Sequence, residues 1–302
     1  LTGIAIFSLS DLGIHSLEDL RAAAKPDQLS MLQGGKDAII PWYAIILGYP
    51  VLGIYYWCAD QTIVQRVLGA RSMKDAQVGP VFAGFIKILP VFLMVFPGVL
   101  AYVLFQDKIT DSNDTLLVLI TELLPVGMKG IMAAALMAAL MSTIAAALNS
   151  AGTLVSIDII QRKKPDTPDH KLVLAGRITS VCVMVVAILW SPLIGKFESI
   201  FEAIVVILAM ISPPVSAVFV LGALWKRGTH QAASTTLIVG MILGIITFCF
   251  DFVPISGYAY ISEGLGMHFM MQAWWLFVIC CLIFMVVSLL SPRPRAIQLE
   301  NL

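Results

Sequence analysis

Apolar residues along this chain come in long runs separated by short polar segments, and most of the runs have the length a bilayer demands. Leu1 to Leu9 reads as the tail of one span, followed by Ser10 to Asp37 as a polar loop of mixed charge. Ile39 to about Arg66 is the first complete span and Pro80 to Phe105 the second. The apolar piece from Thr115 to Leu124 is too short to cross and fits an interfacial position. The third span is Lys129 to Ile160, KGIMAAALMAALMSTIAAALNSAGTLVSIDII, and four more follow at about Leu172 to Ile194, Ile200 to Leu224, Gln231 to Phe252 and Gln272 to Leu290. The pattern predicts an all-α polytopic membrane protein with seven full spans and one partial, a single transmembrane domain over residues 1–302. Because the chain opens at Leu1 inside an apolar run, without Met or a signal peptide, we expect it to be a fragment whose N-terminal helices are missing.

The third span is the richest in small residues. From Gly130 to Ile157 it would extend about 40 Å, enough to cross a hydrocarbon core of about 30 Å with tilt. Its Ala, Gly and Ser content lets neighbouring backbones approach closely, which is how helices associate in lipid. Ser142 and Thr143 follow Ala139 by three and four positions, so a helix sets both hydroxyls on one face beside the Ala139 carbonyl. Such oxygens at mid-membrane can replace part of the water shell of a small hard cation. They can equally bond back to a carbonyl one turn earlier, or to a neighbouring helix.

Other polar or helix-breaking residues also lie at membrane depth. Gly48, Pro50 and Gly53 interrupt the first half of the first complete span, giving either a broken helix or a plain kink. Pro213 and Pro214 break the fifth span near its middle, as a gate hinge or as a static kink. Lys87 lies on the order of 10 Å into its span, where an ammonium must be paired, wet or snorkelling. Tyr56 and Trp57 precede Arg66 by about ten residues and fit either helix packing or, with Lys87 at similar height, a site for a polyhydroxylated ligand. Asp60 and Gln61 line an exit path or bond loop backbone, and the second is favoured. Glu202, two residues into its span, fits an interfacial position, and Asp158 a pairing with Arg162 or Lys163.

With 59% hydrophobic and 13% charged residues and a mean hydropathy of +0.91, the chain lies outside the range of soluble domains. Its zero net charge gives no basic surface for nucleic acid, so charge is informative only locally. Arg66, Arg71 and Lys74, then Arg162, Lys163 and Lys164, then Lys226 and Arg227, and finally Arg293 and Arg295 alternate with acidic or base-poor loops. The positive-inside rule puts those basic segments and the C-terminus in the cytoplasm. Five cysteines inside apolar runs show no metal-type spacing, four histidines are scattered over loops, and no phosphate loop or nucleophile elbow appears. We therefore expect no enzyme.

YYWCADQTIVQRVLGAR at Tyr55 to Arg71, FAGFIKILPVF at Phe82 to Phe92, AALMSTIAAALNSAGTLVSIDI at Ala138 to Ile159 and SPPVSAVFVLGALWKR at Ser212 to Arg227 resemble, in order and spacing, the sodium:solute symporter family and its sugar and inositol cotransporter branch. The resemblance covers nearly the whole chain. It implies a LeuT-type inverted-repeat transporter, of which this chain would be the second half of the core plus two C-terminal helices. Ala139, Ser142 and Thr143 would then supply a carbonyl and two hydroxyls to sodium, the remaining ligands coming from the first core helix. Tyr56 would be the inner-gate tyrosine, Trp57 its neighbour and Lys87 the sugar-bonding lysine, while Glu202 falls where some members carry an acid. Two positions depart from sugar carriers: Gly53 stands in place of a hydrogen-bonding Asn or Thr, and Val205 in place of a glutamine.

The implied activity is sodium-coupled symport of a sugar, polyol or similar small polar solute by alternating access, at the plasma membrane. Sodium is the coupling ion, no cofactor is implied, and the bilayer is the other partner. A symporter for a non-sugar solute and a non-transporting solute sensor on the same scaffold are the alternatives.

Overall fold

The computed structural model describes residues 1–11, 13–24, 29, 34, 40–109, 111–194, 200–252, 260–262 and 264–292. Asp37, Ile39, Arg293 and Arg295 from the reading above lie outside the described residues. In hydrocarbon no water replaces a lost backbone partner, so apolar runs of this length form helices that satisfy their own amides. The helices are α1 (Thr2–Asp11), α2 (Leu17–Ala23), α3 (Trp42–Cys58), α4 (Gln61–Leu68), α5 (Met73–Ile86), α6 (Phe96–Phe105), α7 (Thr115–Leu123), α8 (Val126–Thr153), α9 (Asp169–Ile194), α10 (Ile200–Leu224), α11 (His230–Phe252) and α12 (Phe269–Leu290). A π-helical segment, Val91–Val95, leads into α6, and another, Leu154–Gln161, prolongs α8.

Six helical stretches are long and apolar enough to cross a membrane, or seven when α3 and α4, bent by 45°, count as one broken span. The span count expected from hydropathy therefore holds. Three local details qualify it. First, α3 runs through Gly48, Pro50 and Gly53, and the break falls later, at Ala59 and Asp60. Second, α10 continues through Pro213 and Pro214. Third, the loop from Ser10 to Asp37 contains α2, started by a capping box in which the Ser16 hydroxyl accepts from the Asp19 amide and Asp19 accepts from the Ser16 amide.

The chain divides into two compact units. The first holds residues 1–31 and 65–200, and here α1 packs on α6, α6 on α7, and α8 on α9. A Cβ on Gly152 would sit 3.0 Å from the Gly176 carbonyl, so glycines set the α8–α9 approach, and the Ser180 hydroxyl donates across it to the Leu148 carbonyl at 3.0 Å.

The second unit holds residues 32–64 and 201–302, where α12 packs against both α3 and α11. Its core joins Ala44, Val51 and Leu52 to Val205, Ala209, Met210, Met270 and Ala273. Gly48 allows the α3–α12 contact, since a Cβ there would lie 2.5 Å from the Met270 carbonyl oxygen. Gly240 and Gly244, spaced as a G-x-x-x-G pair, do the same for α11. The first faces Pro214 and Cys280, and the second faces the Met210 carbonyl.

Gly48→Ala is expected to destabilise the protein by about 1–3 kcal/mol, because the added methyl meets a backbone carbonyl that cannot swing away. Gly53→Ala, where a Cβ meets nothing within 4 Å, should be neutral or slightly stabilising. Thermal unfolding of the two variants in detergent reads the difference.

Candidate functional site

The break between α3 and α4 is built by side-chain capture. The amides of Ala59 and Asp60 both turn back onto the Tyr55 carbonyl, ending α3. The Asp60 carboxylate then accepts from the Thr62 amide at 2.7 Å and from the Thr62 hydroxyl, which starts α4. Asp60 thus bonds loop backbone, as favoured from the sequence, and is the N-cap of the second arm. Pro50 removes only the amide that would have served the Ile46 carbonyl, and a helix held on both sides by core contacts tolerates that loss.

Tyr56 and Trp57 occupy the last turn of α3, just before this break, with rings edge to face at 5.5 Å and 89°. Both are half-buried and belong to the second unit. Lys87, in the first unit, closes α5: its amide donates to the Ala83 carbonyl at 3.0 Å, and its side chain is exposed at the turn before the π-helical segment. The backbone of Glu202 lies in the first turn of α10. Its side chain is outside the described residues.

Ala139, Ser142 and Thr143 lie mid-way along α8, which is continuous around them. The Thr143 hydroxyl donates to the Ala139 carbonyl at 3.0 Å, the back-bonding weighed from the sequence. That bond also sets two oxygens side by side on one face. The Thr143 hydroxyl keeps its lone pairs, whereas those of the Ala139 carbonyl are shared between the helical ladder and the Thr143 proton, so a hard cation that holds its oxygens at roughly 2.3–2.6 Å would meet the hydroxyl first. Ser142 and Thr143 are exposed, and none of the most apolar 18-residue window in the span from Val126 to Gln161 is buried, against half of the corresponding window in α10.

Several expected features change. Asp158 forms no ion pair with Arg162 or Lys163 among the described residues, and lies in the π-helical end of α8. An ion pair forms elsewhere, between Lys108 just after α6 and Glu122 of α7 at 2.6 Å, and ties the acidic loop to α7. The two departures from sugar carriers have different settings: Val205 is 7% exposed inside the apolar core beside Val51 and Leu52, whereas Gly53 is half-buried with free space at its Cβ position.

Three groups were missed from the sequence. Ser216, fully buried on α10, donates to the Val51 carbonyl at 2.7 Å and so ties α10 to α3. Arg177 lies eight residues into α9, exposed beside Asn149 and Thr153 in a cleft of about 690 Å³, and depth within its apolar run was the signal that could have found it. Gln65 on α4 donates to the Ser150 hydroxyl of α8 at 2.9 Å, a long-range pairing that no spacing rule reveals.

The family model described as the sodium:solute symporter family matches residues 6–244. Among curated proteins, the chain is 33% identical over 301 residues to the sodium/mannose cotransporter SLC5A10 of Bos taurus, covering 92% of this chain and 50% of that protein. It is 33% identical over 314 residues to the sodium/myo-inositol cotransporter of Homo sapiens, covering 95% of this chain and 43% of that protein. The chain thus spans half or less of the length of these two relatives. Among solved structures, a Na+-coupled sialic acid symporter in a substrate-bound outward-open state matches with a TM-score of 0.63 at 20% identity, over 89% of this chain and 53% of that one. That likeness shows a shared fold.

Ser216→Ala should lower stability by about 1 kcal/mol, the net worth of a buried hydrogen bond to a carbonyl that keeps its helical partner. Thermal unfolding beside Ser216→Thr, which retains the hydroxyl, checks it.

Proposed function

The chain belongs to the sodium:solute symporter family, and from that premise we propose that it is the part of a sodium-coupled symporter that carries half of the ion site and the inner solute gate. The observation that carries this reading is the Ala139 carbonyl and Thr143 hydroxyl held 3.0 Å apart, beside Ser142, at the middle of an unbroken membrane-spanning helix. These three residues bind sodium. Tyr56, Trp57 and Lys87 contact the solute, and Glu202 takes a minor part in binding or gating. The whole chain works as one transporter domain. It sits in the plasma membrane with its basic loops and C-terminus in the cytoplasm, as the alternation of Arg and Lys with acidic loops supports.

Coupling needs no chemistry. Sodium binds the outward-open state better than the inward-open one, so filling the ion site raises the population that accepts solute. The membrane potential adds about 2.3 kcal/mol per 100 mV for each charge that enters. The solute is a small polyhydroxylated molecule, a reading supported by the similarity to a sodium/mannose and a sodium/myo-inositol cotransporter. Its hydrogen-bond pattern differs from a hexose site, because Val205 is committed to the apolar core and Gly53 offers space in place of a donor.

Uptake by proteoliposomes of the complete protein tests the reading, with and without an inward sodium gradient and against mannose, glucose, inositol and a carboxylate. Accumulation indifferent to sodium would overturn it. Ser142→Ala and Thr143→Ala should each raise the half-saturating sodium concentration about fivefold or more, with the maximal rate less affected. Tyr56→Ala and Lys87→Ala should instead raise the half-saturating solute concentration about tenfold while leaving the sodium affinity measured without solute unchanged. A shift of sodium affinity in the second pair equal to that in the first would remove the division of labour.

A further inference from the structure

A side-chain hydrogen bond joins α4 to α8. Gln65 lies on α4, the second arm of the broken span, and Ser150 lies on α8, the helix of the ion site. Ser150 is 4% exposed and Gln65 half-buried. The Ser150 hydroxyl donates its proton to the Ala146 carbonyl at 2.9 Å, so toward Gln65 it can only accept. The 2.9 Å contact from Gln65 therefore uses the amide Nε2 as donor, and the two bonds run head to tail from Gln65 through Ser150 to the α8 backbone.

Position along α8 gives this bond its meaning. Ser150 follows Thr143 by seven residues and Ala139 by eleven, and at about 100° per residue both offsets return to nearly the same side of the helix. The Gln65 contact thus lies on the ion-site face, about 10 Å further toward the end of α8 that precedes the basic segment Arg162 to Lys164. That end is the cytoplasmic one in the orientation proposed above. The arm that carries Gln65 is short, only Gln61–Leu68, and joins α3 at a 45° bend capped by Asp60. A short arm on a capped joint, held to α8 through one side-chain bond among the described residues, can leave as a unit.

We infer that Gln65 is a gating residue, and that the Gln65–Ser150 bond is the latch closing the cytoplasmic route from the ion site. This rests on the symport reading. Release of sodium inward then requires the latch to break and the α4 arm to swing from α8. Gln65 touches neither ion nor solute and acts by positioning the arm. The bond has no role in binding sodium from the outside, so its loss changes leak and coupling before it changes external affinity.

The test is the complete protein in proteoliposomes, as wild type, Gln65→Met, Ser150→Ala and the double variant. Methionine keeps the length of glutamine and removes the donor. Sodium entry without solute should rise roughly threefold to tenfold in each single variant, and solute moved per sodium should fall. The double variant should leak no more than the worse single one, because both remove the same bond. External half-saturating sodium should stay within about twofold of wild type. A structural role alone would instead lower the thermal midpoint and the number of active carriers without raising leak per carrier. If the wild type transports and leak is unchanged in both single variants, or the two effects add, the latch is overturned while symport stands. If the wild type shows no sodium-driven uptake, the symport reading falls and this assignment falls with it.

Discussion

Inside a bilayer an unpartnered backbone amide or carbonyl costs several kcal/mol, and this one penalty organises most of what is distinctive in the chain. A span can be broken only where side chains or neighbours take over the abandoned groups. At Ala59 and Asp60 that work falls to the Tyr55 carbonyl, which receives two amides, and to the Asp60 carboxylate, which captures Thr62. Elsewhere hydroxyls are added to carbonyls already in the helical ladder: Ser216 to Val51, Thr143 to Ala139, Ser150 to Ala146 and Ser180 to Leu148. Each such hydroxyl spends its proton on a carbonyl and presents only lone pairs outward. The chain therefore acquires acceptor sites at membrane depth, and acceptor sites are what a cation or an amide donor such as Gln65 requires.

Glycines solve the complementary problem of distance. Gly48 against Met270, Gly152 against Gly176 and Gly240 against Pro214 and Cys280 are places where a Cβ would collide with a neighbour. They bring backbones together so that short side chains can bridge helices, as Ser180 does from α9 to α8. The small residues of Lys129 to Ile160 read at first as packing filler. In part they are, at Gly152, but the central stretch around Ser142 and Thr143 is exposed, and there the Thr143 hydroxyl sits on the Ala139 carbonyl.

How much of this was legible in the sequence follows from which forces are local. Span number and limits were readable because hydropathy over about 20 residues dominates every other term. Back-bonding of Thr143 was readable because it depends on one helical turn. The site of the break was misread: Pro50 looks like the stronger interruption, yet one missing amide is cheaper to tolerate than two redirected ones, and core contacts at Val51 and Leu52 hold that turn in place. The expected pairing of Asp158 with Arg162 or Lys163 ignored how weakly exposed charges constrain long side chains. Ser216 with Val51 and Gln65 with Ser150 were out of reach altogether, since residues 165 and 85 positions apart meet only through the fold.

The oxygens of α8 also set a limit that shapes the mechanism. One face of one continuous helix offers a carbonyl and two hydroxyls, whereas a hard cation of this size takes about six ligands. The carbonyl remains in its ladder and already receives the Thr143 proton, which weakens it further as a ligand. An ion resting on α8 alone would gain little over water, so affinity has to depend on a second element closing over the same face. In the proposed symport that dependence would make the ion a conformational signal, bound where two elements meet and released where they part. The Gln65–Ser150 bond occupies the same face two turns away, so a second element already lies against this side of α8.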